Sequence, residues 1–161
     1  MDKILFASKR CLVRSFMASD IDDFVLYRNN EEWMQYQSFK GLTKEEYKKI
    51  LLKEANLETG AQYAIVDKSN NRLIGDIYFK KENNCFWVGY TISPDYKRQG
   101  YAYEVLIAAI SWIKDIGNAK IMVGVEPGNV PSISLLEKTG FIYLKEEDGE
   151  LIYSLNENSV D

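Results

Sequence analysis

The run Lys97-Arg98-Gln99-Gly100-Tyr101-Ala102 sets two cations ahead of two small residues, where a strand-like segment gives way to a helical pattern. Pro94 turns the chain, and a helix starting near Gly100 leaves its first backbone N–H groups without intrahelical partners. Such groups attract anions, small side chains let a phosphate approach them, and Lys97 and Arg98 add positive charge beside that point. The combination suits a pyrophosphate, although the basic pair taken alone also fits solvated loop charges. No glycine-rich loop ending in Gly-Lys-Ser/Thr and no three-glycine dinucleotide fingerprint occurs, so this is not a standard nucleoside-triphosphate site.

The 161 residues contain no histidine, which removes His-dependent nucleophile triads, His-ligated metal sites and the usual general base of neutral pH. Two cysteines, Cys11 and Cys85, cannot build a four-thiolate cage and are too few for a secreted disulfide scaffold; they read as small strand hydrophobes. No metal is expected. With 20 Lys plus Arg against 24 Asp plus Glu the net charge is −4, so no global positive field exists to hold a nucleic-acid backbone. A nucleic-acid-binding domain using Lys97, Arg98 and the many tyrosines for stacking is the reading this balance disfavours. Met1–Ala7 holds too short an apolar run for a signal peptide, and later apolar stretches are interrupted, which predicts a cytoplasmic, non-membrane protein.

Several elements must position that stretch. A strand is expected over Cys11–Phe16, then a short acidic helix capped by Ser19, then a helix opened by the capping-box pair Thr43 and Glu46. Ala61–Val66, Arg72–Phe79 and Phe86–Ile92 are rich in β-forming residues and separated by turns near Asn70-Asn71 and Asn83-Asn84, predicting an antiparallel meander. A long helix follows from Gly100, with Val105, Ala109, Trp112 and Ile116 on one stripe and Leu106, Ile110 and Ile113 beside it. A strand at Lys120–Val125, a short helix from about Pro131 to Lys138 stopped by Gly140, and a final hairpin complete the order. The fold class is a mixed α/β (α+β) sheet with one helical crossover, read as one domain over residues 1–161.

Lys97-Arg98-Gln99-Gly100-Tyr101-Ala102 resembles the acetyl-CoA signature of the GNAT N-acetyltransferases, with Lys97 where Gln or Arg is usual. Asn129-Val130-Pro131-Ser132 through Glu137-Lys138-Thr139-Gly140-Phe141 is similar to the family's C-terminal segment. The style, with Ser132 and the Gly89-Tyr90 strand, is that of the RimJ/RimL-like ribosomal-protein acetyltransferases. The resemblance implies acetyl-CoA as co-substrate, held in a gap where the fourth and fifth strands splay apart. It implies backbone pairing of Tyr90, Thr91 and Ile92 with the pantetheine arm, and pyrophosphate on Lys97, Arg98 and the amides of Gln99, Gly100, Tyr101 and Ala102. Asn129 and Ser132 would line the far wall, with Lys138 completing the cofactor-binding set. Relatives are often dimers, which implies a homodimer.

The family transfers acetyl directly to an amine, with a backbone N–H of the fourth strand on the oxyanion. Its usual acid, a Tyr seven residues after Asn129, is replaced by Leu136. Ser132 is the expected substitute, with Tyr101 and Tyr103 as further candidates; the competing role for Ser132 is capping the short helix. The usual positions for a base hold Trp87 and Gly124, which leaves Glu126, on the face of Gly124, as the candidate and Asp76 as the second. A solvated edge carboxylate is the competing reading of both. Neutralising a lysine-type amine at pH 7 costs roughly 4 to 5 kcal/mol, an α-amino group only about 1, which favours a peptide N-terminus or another low-pKa amine as acceptor. Asp20, Asp22, Asp23, Glu31 and Glu32 would draw in a cation, with Trp33, Met34 and Tyr36 against it. The alternative within the same fold is a CoA-binding sensor or assembly protein with little turnover.

Overall fold

A computed structural model describes residues 3–155, built on one eight-stranded sheet. The strands are β1 (Ile4–Ala7), β2 (Cys11–Arg14), β3 (Ala61–Asp67), β4 (Leu73–Glu82), β5 (Cys85–Ile92), β6 (Lys120–Val125), β7 (Phe141–Glu147) and β8 (Glu150–Leu155). Their order across the sheet is β1-β2-β3-β4-β5-β6-β8-β7. Only β5 and β6 are parallel neighbours. The helices are α1 (Ile21–Arg28), α2 (Lys44–Leu51), α3 (Tyr101–Ile116) and α4 (Val130–Lys138).

The meander forms as the alternation predicts, and its turns explain its register. Asn83 and Asn84 close a two-residue loop with φ of 51° and 61°, the left-handed pair that a tight hairpin needs and that asparagine tolerates. Asp148 and Gly149 do the same between β7 and β8, with φ of 53° and 82°. The thread-like start of the chain differs from expectation: Ile4–Ala7 adds a strand to form a hairpin with β2, which ends at Arg14 rather than Phe16. Four half-exposed residues carry too little alternation to announce a strand. A second helical crossover also appears, because α4 carries the chain from β6 to β7 while β8 fills the place between them.

Two cores result. On one face α3 buries Val105, Leu106, Ala109, Ile110 and Ile113 against the sheet, joined by Leu136 of α4. The stripe stops there, since Ile116 at the helix end is 49% exposed. On the other face α1 and α2 pack Phe24, Tyr27, Tyr47 and Leu51 over β3 and β4. The α1 entry also corrects expectation: Ser19 caps nothing, and Asp20 closes a 3-10 turn by accepting the Met17 N–H at 2.8 Å. The Thr43–Glu46 capping box forms on α2 as expected. Among the described residues no helix is long and apolar enough to cross a membrane.

The feature that positions the site is a seam. β5 and β6 pair only at Cys85–Lys120, Phe86–Ile121 and Trp87–Met122, after which β6 keeps its rungs with β8 from Met122 to Val125 and β5 keeps its rungs with β4 to Ile92. The two strands diverge from Val88 and Val123 onward, and the seam opens into a gap.

Candidate active site

At the C-terminal end of β5 a 3-10 turn over Pro94–Tyr96 leads into the loop that starts α3. Arg98 and Gly100 both take left-handed conformations, with φ of 60° and 81°, which makes this a tight turn into the helix start. The Glu104 N–H is bonded to the Gly100 carbonyl at 3.0 Å, so the N–H groups of Tyr101, Ala102 and Tyr103 are the free donors of the helix start. No Cβ at Gly100 crowds them. Tyr101 points its ring inward, 9% exposed, which leaves its backbone for a ligand. The Lys97 ammonium stands 5.9 Å from the Trp33 ring centroid. This cradle suits a phosphate by charge and donor set.

The alternation of β5 decides which of its groups face the gap. The Ser93 N–H bonds to the Ile74 carbonyl of β4 at 2.8 Å, so the backbone of Thr91, two residues earlier, also faces β4. Tyr90 and Ile92 face the gap. An added strand can therefore pair with Tyr90 and Ile92 but not with Thr91, whose hydroxyl instead accepts from Arg28 Nη2 at 3.3 Å. The Ile92 carbonyl already accepts the Trp33 indole N–H at 2.9 Å.

Across the gap, Asn129 caps α4 by accepting the Ser132 N–H at 3.4 Å, which frees the Ser132 hydroxyl. That hydroxyl meets the Tyr90 phenol at 2.9 Å. Burial pushes the Tyr90 phenol up to about 12, against the opposing effect of its bond to Ser132, so it keeps its proton at neutral pH. The pair is a proton donor and not a base.

Two cavities, of 510 and 220 Å³, share Gln37, Ser38, Gly89, Tyr90, Gly124 and Glu150 in their walls. The smaller is lined by Ser132, Asn129 and Glu126. The larger runs toward Phe39, Trp87, Tyr78 and Lys53. Glu150 stands where they meet: a Cβ placed on Gly124 would lie 3.0 Å from its Oε1. The missing side chain at Gly124 is thus filled from the neighbouring strand. The Asp148-Gly149 turn marks the start of β8, but it is the long-range pairing of Gly124 with Ile152 that puts Glu150 on the Gly124 face, and no local signal encodes that pairing.

Other expected residues lie elsewhere. Asp76 is fully buried and accepts from Arg28, Tyr27 and Gln62, which makes it a structural carboxylate in the floor of the larger cavity. The acidic first helix does not offer free charge: Asp20 pairs with Arg14, Asp22 with Lys44 and Asp23 with Arg72. Met34 is fully buried, Tyr36 packs on Gly128, and Glu31 and Glu32 are exposed. Lys138, in the last turn of α4, lies 4.6 Å from the ring centroid of Tyr103 in the first turn of α3. Among the described residues no group of His, Cys, Asp or Glu could hold a metal ion.

A family model described as an acetyltransferase (GNAT) domain matches residues 10–142. No curated protein matches the chain. Among solved structures, a GNAT-family acetyltransferase from Bacillus anthracis aligns with a TM-score of 0.82 and 22% identity, over 96% of this chain and 98% of that one. The ribosomal-protein-S5-alanine acetyltransferase of Vibrio fischeri aligns with a TM-score of 0.77 and 22% identity, over 98% and 99%. The spermidine N-acetyltransferase of Vibrio cholerae, solved with CoA and spermine, aligns with a TM-score of 0.75 and 18% identity, over 90% and 93%.

Proposed function

The chain belongs to the GNAT acetyltransferase family, an acetyl-CoA-dependent N-acetyltransferase acting on an amine, and from that premise we propose that its acceptor is the α-amino group of a peptide. Acetyl-CoA supplies an electrophilic thioester carbonyl and a thiolate leaving group of pKa about 8.5. The cradle of Lys97, Arg98 and Gln99–Ala102 holds the phosphates, and the gap-facing groups of Tyr90 and Ile92 hold the arm. The gap-facing N–H of Tyr90 is placed to steady a developing oxyanion. Glu150 takes the proton from the incoming ammonium, in the place first expected of Glu126. Ser132, backed by the protonated Tyr90 phenol, returns a proton to the departing sulfur.

The position of Glu150 at the junction of the two cavities carries this reading. The charges lining the larger cavity balance, Arg28 and Lys53 against Asp76 and Glu150. Such a wall favours an acceptor with one cationic amine over a polycation, and an amine of low pKa costs less to neutralise before it attacks. A CoA-binding sensor without turnover is the less favoured reading, because donor and acceptor of protons both face the gap. We place the reaction in the cytoplasm, in one domain, as a homodimer joined through the β7 edge, where Ile142, Tyr143 and Leu144 are each about half exposed.

Steady-state rates on a peptide with a free N-terminus and on its N-blocked, lysine-containing counterpart test the acceptor. The free N-terminus is expected to react faster; a strong lysine preference overturns the proposal. On the better peptide, Glu150→Gln should lower kcat by about 10²-fold or more with KM for acetyl-CoA unchanged. An E126Q loss larger than the E150Q loss would return the base to Glu126.

A further inference from the structure

Glu104 stands in the first turn of α3, in the same turn whose N–H groups face the proposed phosphates. A carboxylate there is favourable to a bare helix start but repels an incoming dianion. It is not left bare. Its oxygens accept from the Ser8 hydroxyl, from the Arg10 N–H at 2.8 Å and from Arg10 Nε at 2.7 Å. Burial would raise its pKa, but these bonds outweigh that and hold the carboxyl below its ordinary range.

The same arginine reaches further. Its Nη2 donates to the Gln99 carbonyl at 3.0 Å and lies 3.6 Å from where a Cβ on Gly100 would stand, and its guanidinium sits 4.0 Å from the Tyr101 ring centroid. One side chain from the β1–β2 turn therefore touches residues 99, 101 and 104, some 90 positions away in the chain. With its side chain 39% exposed, it also keeps a positive charge at the water-facing side of the cradle.

We propose that Arg10 is a positioning residue of the CoA phosphate site: it cancels the Glu104 charge and pins the Gln99 carbonyl, so the turn is electropositive and fixed in shape before the phosphates arrive. The fork geometry matters, because a lysine could not serve Glu104 and Gln99 together. The inference rests on the family's use of acetyl-CoA and goes beyond its signature residues.

Calorimetric titration with CoA and with pantetheine, which lacks the phosphates, tests it. Arg10→Gln should weaken CoA about tenfold and leave pantetheine within twofold, while the melting temperature confirms a folded variant. R10Q/E104Q should bring CoA back to within about threefold of wild type, because the uncancelled carboxylate is gone. Arg10→Lys, which keeps the positive charge but not the fork, should fall between wild type and R10Q for CoA. An unchanged CoA affinity in R10Q or R10K, an equal loss for both ligands, or no recovery in the double variant overturns the proposal. Failure of the wild type to bind CoA would instead strike at the cofactor reading itself.

Discussion

Asp76 shows how a carboxylate that looks available becomes structural. Its position after Gly75 in a strand made it a candidate base, yet Arg28, Tyr27 and Gln62, from α1 and β3, saturate its oxygens with no exposed surface left. Arg28 in turn is wedged between the rings of Phe24 and Phe39, and its Nε is the one buried side-chain nitrogen without a partner among the described residues. Removing Asp76 would strand that cation. Asp76→Ala is therefore expected to cost about 3–5 kcal/mol in urea unfolding, and a loss under about 1 kcal/mol would contradict the account. None of these partners is near Asp76 in sequence, and Glu150 was hidden in the same way: local spacing cannot show which distant side chain fills the hole at Gly124. Asn129, Ser132 and the Gly100 cradle were legible because each sits at a helix start, where the chemistry is local.

At the scale of elements, periodicity served where the segments are long or turn-bounded, as in α3 and the meander. It failed for β1 and for the stretch between α1 and α2, which has no period at all. That stretch works as a strap. Trp33 holds the Ile92 carbonyl on one side of the gap, Tyr36 packs on Gly128 beyond β6 on the other, and Arg28 takes the Phe39 carbonyl at 2.9 Å. Trp33→Phe deletes one hydrogen bond worth about 1 kcal/mol, so amide exchange in the strap should speed up roughly fivefold while α3 is unaffected. Exchange at the wild-type rate would mean that the indole does not hold it.

Across the whole molecule, strand neighbours followed from the sequence only within the β3-β4-β5 meander; the docking of β1 and β2 on β3 and the insertion of β8 between β6 and β7 need long-range pairing that no local signal encodes. The cores make a global statement about pH. Burial raises the Cys11 thiol to about 11 and the Tyr90 phenol to about 12, and burial followed by Asp76 raises the Tyr27 phenol well above its ordinary value. Each group is neutral when folded and ionises more readily when unfolded, from about pH 9 for the thiol and 10 for the phenols. Their stabilisation is thus complete below pH 9 and is lost as pH rises toward 12. Melting temperatures from pH 8 to 11.5 should fall from about pH 9 onward, and Cys11→Ala should delay the onset; a flat profile would refute the assignment.

The seam between β5 and β6 has a consequence outside the reaction. Three rungs hold the strands, and beyond them the Tyr90 backbone and the Ile92 N–H have no strand to pair with, a place the proposed cofactor would fill. Folding and cofactor supply are then linked by mass action, at about 2.7 kcal/mol for a hundredfold excess over Kd. In a cell that degrades whatever opens, the amount of this protein would follow the acetyl-CoA level, so scarcity of the donor would remove the enzyme along with its substrate.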